Sequence, residues 1–141
     1  MRLLSDRHIP RCYFPKEVNI AYKQLHGFSD ASELAYGGVV YLRLVDTSGR
    51  VHTSLVIAKT KVAPLKKLSI PRLELCGAQL LAQLLCHCQK VFGFPTEDVF
   101  AWTDSTIVLN WIVGNPHRFR TYMPIECPVL LTSLRLIVGI M

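Results

Sequence analysis

Three acidic residues in different sequence contexts are the part of this chain best suited to chemistry. Asp30 follows a short alternating segment, Glu74 lies in the first turns of an expected helix, and Asp104 follows an expected strand. Carboxylates brought together by a fold are ligands for hard cations such as Mg²⁺ or Mn²⁺. Two such ions can drive the attack of water on a phosphodiester. Because the acids are far apart along the chain, only the tertiary fold can assemble them.

Each acid also has a purely structural interpretation, which stays open at this point. Asp30 could begin a turn, Glu74 could complement the helix macrodipole, and Asp104 could cap the next helix. Taken singly, the structural role is favoured for Glu74 and Asp104, and only their joint occurrence favours a metal site. We therefore predict that the three acids converge at one end of a sheet, with each pair of carboxyl groups within about 8 Å.

Basic residues are concentrated in the middle of the chain. The sequence has 16 Lys and Arg against 10 Asp and Glu, a net charge of +6, and no acid lies between Asp46 and Glu74. A surface of one sign is what phosphate binding needs, although a solvated loop is the better explanation for Lys66 and Lys67 alone. The nucleic-acid-binding residues that we predict are Lys59, Lys61, Lys66, Lys67 and Arg72.

Composition indicates one basic domain with no membrane segment. The chain has 141 residues, half of them hydrophobic, and five cysteines without the spacing of a disulfide framework. We expect those cysteines to be buried free thiols in a reducing compartment. The apolar stretch 127–141 is short and interrupted by Pro128 and Arg135, and no secretory signal is visible. We therefore expect an intracellular, cytoplasmic protein.

The periodicity predicts the elements that must position the acids. Strands are expected at 25–30, 35–44, 51–60 and 98–103, and helices at 69–93 and 105–113. The turn residues 46–49 are expected to close a hairpin, which explains them better than a protease signature does. The order β-β-β-α-β-α predicts an α/β mixed sheet. We expect residues 1–23 to be a linker or arm, 24–121 the domain and 122–141 a divergent apolar tail.

Several segments together resemble a known family. The opening strands read HGFSDAS at 26–32 and YGGVVYLR at 36–43, and the basic loop and helix start read AKTKVAPLK at 58–66 and IPRLEL at 70–75. These runs resemble the ribonuclease H-like domain of BEL/Pao retrotransposon polyproteins. The similarity continues through WTDST at 102–106, LNWI at 109–112 and RFRT at 118–121, and IPRCY at 9–13 is similar to the segment that joins the reverse transcriptase to this domain.

The resemblance implies a ribonuclease H-like fold, dependence on Mg²⁺ or Mn²⁺, and an RNA/DNA hybrid or other nucleic acid duplex as partner. Asp30, Glu74 and Asp104 match the first three metal-binding acids of the family. After Thr121 the likeness ends, and no Asp follows Asp104. We therefore expect an incomplete fold that lacks its last elements and the reverse transcriptase region of the parent polyprotein.

The function implied by the resemblance is that of a retrotransposon remnant. The ancestral reaction is two-metal hydrolysis of the RNA strand of a hybrid, by a ribonuclease H-type endonuclease that the truncation would impair. The alternatives are a non-catalytic nucleic-acid-binding module and an inert fragment derived from a transposon.

Overall fold

The computed structural model describes residues 19–108 and residue 110. In this part of the chain, three long strands are followed by one long helix and a short fourth strand. The elements are β1 (Ile20–Ala31), β2 (Ala35–Asp46), β3 (Val51–Val62), α1 (Ile70–Phe92) and β4 (Val99–Thr103). Residues 106–108 and 110 are helical, which is where the second helix is expected to begin; its predicted end at residue 113 lies outside the described residues.

The four strands form one mixed sheet in the order β3-β2-β1-β4. The first three strands are an antiparallel meander, and β4 pairs with β1 in parallel from Leu25↔Val99 to Ser29↔Thr103. This confirms the predicted α/β mixed sheet. Strand β1 begins at Ile20, inside the segment expected to be an arm, because residues 20–23 already pair with the end of β2.

Helix α1 packs across one face of the sheet. Pro71 occupies its first turn, where a missing N–H costs little, and Gly93 ends it in the left-handed conformation with φ of 69°. Ser69 takes the predicted N-cap position, but its side chain makes no capping hydrogen bond. The leucines of α1 cover the buried strand residues Leu25, Val40, Leu42, Leu44, Val99 and Ala101. Among the described residues, none of the helices combines the length and the hydrophobicity that a membrane span needs.

Glycines allow α1 to lie unusually close to the sheet. A Cβ atom on Gly38 of β2 would lie 3.3 Å from the Cα of Leu81, and one on Gly77 would lie 3.3 Å from the carbonyl oxygen of Asp30. On Gly27 of β1 it would meet the Leu81 side chain at 2.6 Å. Helix and strand backbones therefore approach each other at Gly38 and Gly77, whereas Gly27 makes room for leucine side chains of the helix.

An aromatic row lies on the opposite face of the sheet. Phe28 and Trp102 are stacked with ring centroids 6.2 Å apart, and His26 stacks on Phe100 at 4.9 Å. Trp102 Nε1 donates a hydrogen bond to His26 Nδ1, so the imidazole proton lies on Nε2, facing Gln24 Oε1. Burial, and secondarily the charge of Arg43, lower the pKa of His26, which favours this neutral ring. These contacts hold β4 against β1.

Asp46 organises the hairpin between β2 and β3. Its Oδ1 accepts hydrogen bonds from the Ser48 hydroxyl at 2.5 Å and from the backbone N–H groups of Ser48 and Arg50 at 2.9 Å. Its Oδ2 lies 3.2 Å from His52 Nε2, and Gly49 supplies the positive φ of 87°. The hairpin predicted at 46–49 is therefore confirmed.

The cysteines follow the expectation only in part. Cys76 and Cys88 are free, and burial raises the pKa of the Cys88 thiol. Cys86 is disulfide-bonded, so the expectation of free thiols is wrong for this residue. Cys12 and Cys127 lie outside the described residues.

The Asp46 turn predicts a defined acid dependence of stability. Hydrogen bonds, above all from the Ser48 hydroxyl, lower the pKa of Asp46 from 3.8 to about 2. A lowered pKa stabilises the folded state above the unfolded pKa, and this contribution is lost as the pH falls through the folded pKa. In chemical denaturation, the stability advantage of the native chain over Asp46→Asn should therefore shrink between about pH 4 and pH 2. Thr47→Ala, which alters the same turn without removing a charge, should keep the native pH dependence.

An added methyl group meets different atoms at Gly38 and at Gly27. Gly38→Ala should lower the free energy of unfolding by about 1–3 kcal/mol, because the methyl group meets the backbone of Leu81. That loss exceeds the roughly 0.5–1 kcal/mol that alanine usually gains over glycine in a strand. Gly27→Ala meets only side-chain tips of Leu81 and Leu85.

A Leu81→Ala background separates the two cases. It removes the nearest atom that the Gly27→Ala methyl group meets, so the cost of that change should fall. The cost of Gly38→Ala should stay, because alanine retains the N, Cα and Cβ atoms at position 81. Equal relief at both positions would contradict a backbone contact at Gly38.

Candidate functional site

Asp30 lies at the end of β1, one residue before the strand stops. Its side chain is exposed, and Oδ1 accepts a hydrogen bond from the Ala31 N–H at 2.8 Å. The turn that follows is organised by Ser32, whose hydroxyl oxygen accepts hydrogen bonds from the N–H groups of Leu34 and Ala35. The backbone N–H of Ser32 also donates to the carbonyl of Ala35 at 2.8 Å. The turn role that Asp30 could have had therefore belongs to Ser32.

Asp104 is the first residue after β4. Ser29 and Thr103 are paired in the parallel register, so Asp30 and Asp104 each follow that pair on neighbouring strands. The Asp104 side chain is exposed and makes no hydrogen bond to another described residue. The next helix is capped by Ser105 instead, because its Oγ accepts a hydrogen bond from the Val108 N–H at 3.2 Å. The capping alternative for Asp104 is thereby removed.

Glu74 reaches the same end of the sheet from α1. It lies in the second turn of the helix, and no acid occupies the first turn, so compensation of the macrodipole is a weak explanation for it. One turn further along, Gly77 packs on the carbonyl of Asp30. The half-buried Glu74 accepts a hydrogen bond on Oε2 from the Ser105 hydroxyl at 2.5 Å. This bond joins α1 to the residue that follows Asp104.

The structure thus brings the backbone of Asp30, Glu74 and Asp104 to one end of the sheet. It does not group their side chains as ligands of one ion. Asp30 and Asp104 end adjacent strands, and Glu74 touches the neighbour of Asp104. Carboxylate oxygens have the right chemistry for Mg²⁺ or Mn²⁺. Within residues 19–108 and 110, however, no three His, Cys, Asp or Glu side chains are grouped to hold an ion. A cation at this end would therefore have to draw the carboxylates together.

A groove beside Asp30 was not evident from the sequence. It has a volume of about 460 Å³ and runs along β1 and β2 towards β3. Its walls include Phe28, Asp30, Ser32, Gly37 and Thr60. Gly37 contributes no side chain to this wall, which leaves the strand backbone accessible to a ligand. The role of Ser105 was likewise not evident from the sequence, although its hydroxyl contacts Glu74 directly.

The basic residues predicted to bind nucleic acid lie near this end of the sheet. The loop at 63–69 is tied to the turn after Asp30 by a hydrogen bond from the Ala63 N–H to the carbonyl of Leu34 at 2.8 Å. All five cations are exposed, and none forms an ion pair with another described residue: Lys59, Lys61, Lys66, Lys67 and Arg72. They are therefore available to an anionic ligand.

Arg50 and His52, which belong to the same basic stretch of sequence, lie elsewhere. Both follow the β2–β3 turn, at the opposite end of the sheet from Asp30. The imidazole of His52 contacts the Asp46 carboxylate, with Nε2 3.2 Å from Oδ2. The stretch from residue 50 to residue 72 is therefore not one continuous surface.

The chain is similar to a protein family and to solved structures. The model of the Pao retrotransposon-like RNaseH-like domain matches residues 3–105. Among solved structures, the chain is similar to RNase H1 from the halophilic archaeon Halobacterium salinarum NRC-1, with 15% identity over 79% of this chain and 80% of that one and a TM-score of 0.41. It is also similar to the foamy viral protease-reverse transcriptase in complex with dsDNA, with 11% identity over 87% of this chain and 81% of that one and a TM-score of 0.34.

A search of curated proteins gave no match. The family match covers most of the chain, including all three acids and the basic loop. The chain belongs to the Pao retrotransposon-like RNaseH-like domain family and has a ribonuclease H-like α/β fold.

Proposed function

We propose that the end of the sheet carrying Asp30, Glu74 and Asp104 binds a divalent cation and the RNA strand of an RNA/DNA hybrid. The reaction would be hydrolysis of that strand, the role that the family resemblance implies. Mg²⁺ or Mn²⁺ would supply activation of water and stabilisation of the leaving oxygen. The chain's own part is to hold the carboxylates at one end of the sheet and to seat the duplex beside them.

One observation carries this proposal: the local structural roles open to the acids are taken by neighbouring serines or are absent. Ser32 organises the turn after Asp30, and Ser105 caps the helix after Asp104. Glu74 lies beyond the first helical turn. Three carboxylates at one end of a sheet repel one another. A cation would remove that repulsion.

The basic side chains support a nucleic acid duplex as the ligand. Lys59 and Lys61 lie on the edge strand β3, Lys66 and Lys67 lie in the loop tied to the turn after Asp30, and Arg72 begins α1. Their free charges would contact phosphates on both sides of the carboxylates. An RNA/DNA hybrid would be bound through its backbone shape and 2′-hydroxyl groups, without reading its sequence.

A non-catalytic duplex-binding module is the second candidate. The observation that favours it is that the described acids are not grouped as a ready ligand set. Ordering them around an ion would cost free energy, so we expect slow cleavage even if a cation binds. Binding and cleavage therefore have to be measured separately.

The first test is cation binding and hybrid cleavage by the native chain. Calorimetric titration with Mn²⁺ should show binding that Asp30→Asn weakens by more than about 100-fold, because loss of a ligand exceeds the 10–100-fold effect of an outer-shell partner. Cleavage of a labelled hybrid in Mg²⁺ and in Mn²⁺ should be weak and should be abolished by the same change. Glu97→Gln is the matched control, since this exposed acid precedes β4 at the other end of the sheet.

The outcomes of this test separate the two candidates. Cation binding with cleavage that depends on Asp30 supports the nuclease. Duplex binding with no cation binding supports the second candidate. Brisk cleavage by Asp30→Asn would show that the carboxylate end is not the site of hydrolysis.

The second test is the salt dependence of duplex binding. Each phosphate contact that is lost should reduce the slope of log K against log salt by about 0.9, so Lys66→Ala with Lys67→Ala should flatten it by up to about 1.8. The same holds for Lys59→Ala with Lys61→Ala. The control is Arg50→Ala with Lys90→Ala, which removes equal charge from the β2–β3 turn and the last turn of α1. If the control flattens the slope as much, the basic loop is not the specific phosphate contact.

A further inference from the structure

Ser105 occupies the junction between β4, the following helix and α1. It is buried, with 8% of its surface exposed, although both of its neighbours Asp104 and Thr106 are exposed. Its backbone N–H donates to Thr103 Oγ1 at 3.2 Å. Buried hydroxyls are normally satisfied by hydrogen bonds, so the partners of this one show what it does.

The direction of the hydrogen bonds at Ser105 is fixed by their chemistry. The Val108 N–H can only donate, so the Ser105 oxygen accepts from it at 3.2 Å. The single hydroxyl proton is then donated to Glu74 Oε2 at 2.5 Å. Accepting one bond polarises the hydroxyl for donating the other, and a bond to a carboxylate is stronger than one between neutral groups.

This bond restrains a side chain that would otherwise have several conformations. Glu74 has three rotatable bonds, and a free glutamate loses much rotamer freedom when it binds a ligand. Ser105 engages only Oε2, and Oε1 makes no hydrogen bond to another described residue. One oxygen is thus tethered at the residue beside Asp104, while the other stays available to a cation.

We propose that Ser105 is a positioning residue, whose hydroxyl holds the Glu74 carboxylate at the Asp104 side of the site and so raises its affinity for a divalent cation. This inference rests on the proposed function, because it assigns Ser105 a role in that same site. The competing explanation is that Ser105 only caps the helix. The two explanations differ in what glycine at position 105 should do.

Substitutions at position 105 separate capping from positioning. Ser105→Ala removes both the cap and the bond to Glu74. Ser105→Gly removes the hydroxyl but is well tolerated at a helix N-cap, so it should fold even where the alanine variant does not. Ser105→Thr keeps a hydroxyl for both bonds. Thermal unfolding without metal establishes which variants are folded.

The experiment is calorimetric titration of the full chain with Mn²⁺. Ser105→Gly should weaken cation binding by about 10–100-fold, the usual effect of losing a partner that orients a ligand. Ser105→Thr should bind close to the native affinity. In a Glu74→Gln background, Ser105→Gly should cause no further loss, because the hydroxyl acts through the carboxylate.

The result of each titration tests the positioning role of Ser105. Native affinity in Ser105→Gly overturns the positioning role while leaving the proposed function intact. An equal loss in the Glu74→Gln background also overturns it, since the effect would then travel through the fold and not through Glu74. If the native chain binds no cation, the proposed cation site fails and the inference fails with it.

Discussion

The close approach of α1 to β1 and β2 determines the arrangement of the carboxylate end. Helix and strand backbones meet where Gly38 and Gly77 leave no side chain between them, and Gly27 makes room for leucine side chains of α1. An ordinary side chain at Gly38 or Gly77 would have to displace backbone atoms 3.3 Å from its Cβ. Because Glu74 lies one turn before Gly77, the same contact that packs the core also sets the height of this carboxylate over the end of β1.

The parallel pairing of β4 with β1 supplies the other half of the arrangement. It places the residue after Ser29 beside the residue after Thr103, and these are the two aspartates. On the open face, the pairing is reinforced by stacked rings and by the hydrogen bond between Trp102 and His26. The aromatic row thereby helps to hold the two acids at adjacent strand ends.

Ser32 and Ser105 stabilise the backbone beside the acids. The turn after β1 and the helix after β4 both need a side chain to satisfy backbone N–H groups, and a nearby aspartate is chemically suited to each task. Ser32 and Ser105 perform these tasks instead. Short hydroxyl side chains therefore stabilise the backbone while the carboxylates stay accessible. Asp46 is the contrast, because it is fully used by its own turn.

Periodicity and turn chemistry were sufficient to predict the elements and the fold class. Alternation identified the three meander strands, and Pro71 and Gly93 bounded α1 within a residue or two, because these signals are local. The start of β1 was placed too late, since residues 20–23 become a strand only by pairing with the end of β2. The disulfide at Cys86 was also missed, because cysteine spacing alone does not show which thiols a fold brings together.

The sequence by itself determined which residues could bind a cation or a phosphate, and the resemblance it carries identified the family. It could not determine how those residues are arranged, because acids that are far apart in sequence meet only through strand register and helix packing. Only the tertiary structure decided that Arg50 and His52 belong to the far end of the sheet, and that Ser105 contacts Glu74. The physical reason is that charge and periodicity are read along the chain, whereas a site is built from contacts across it.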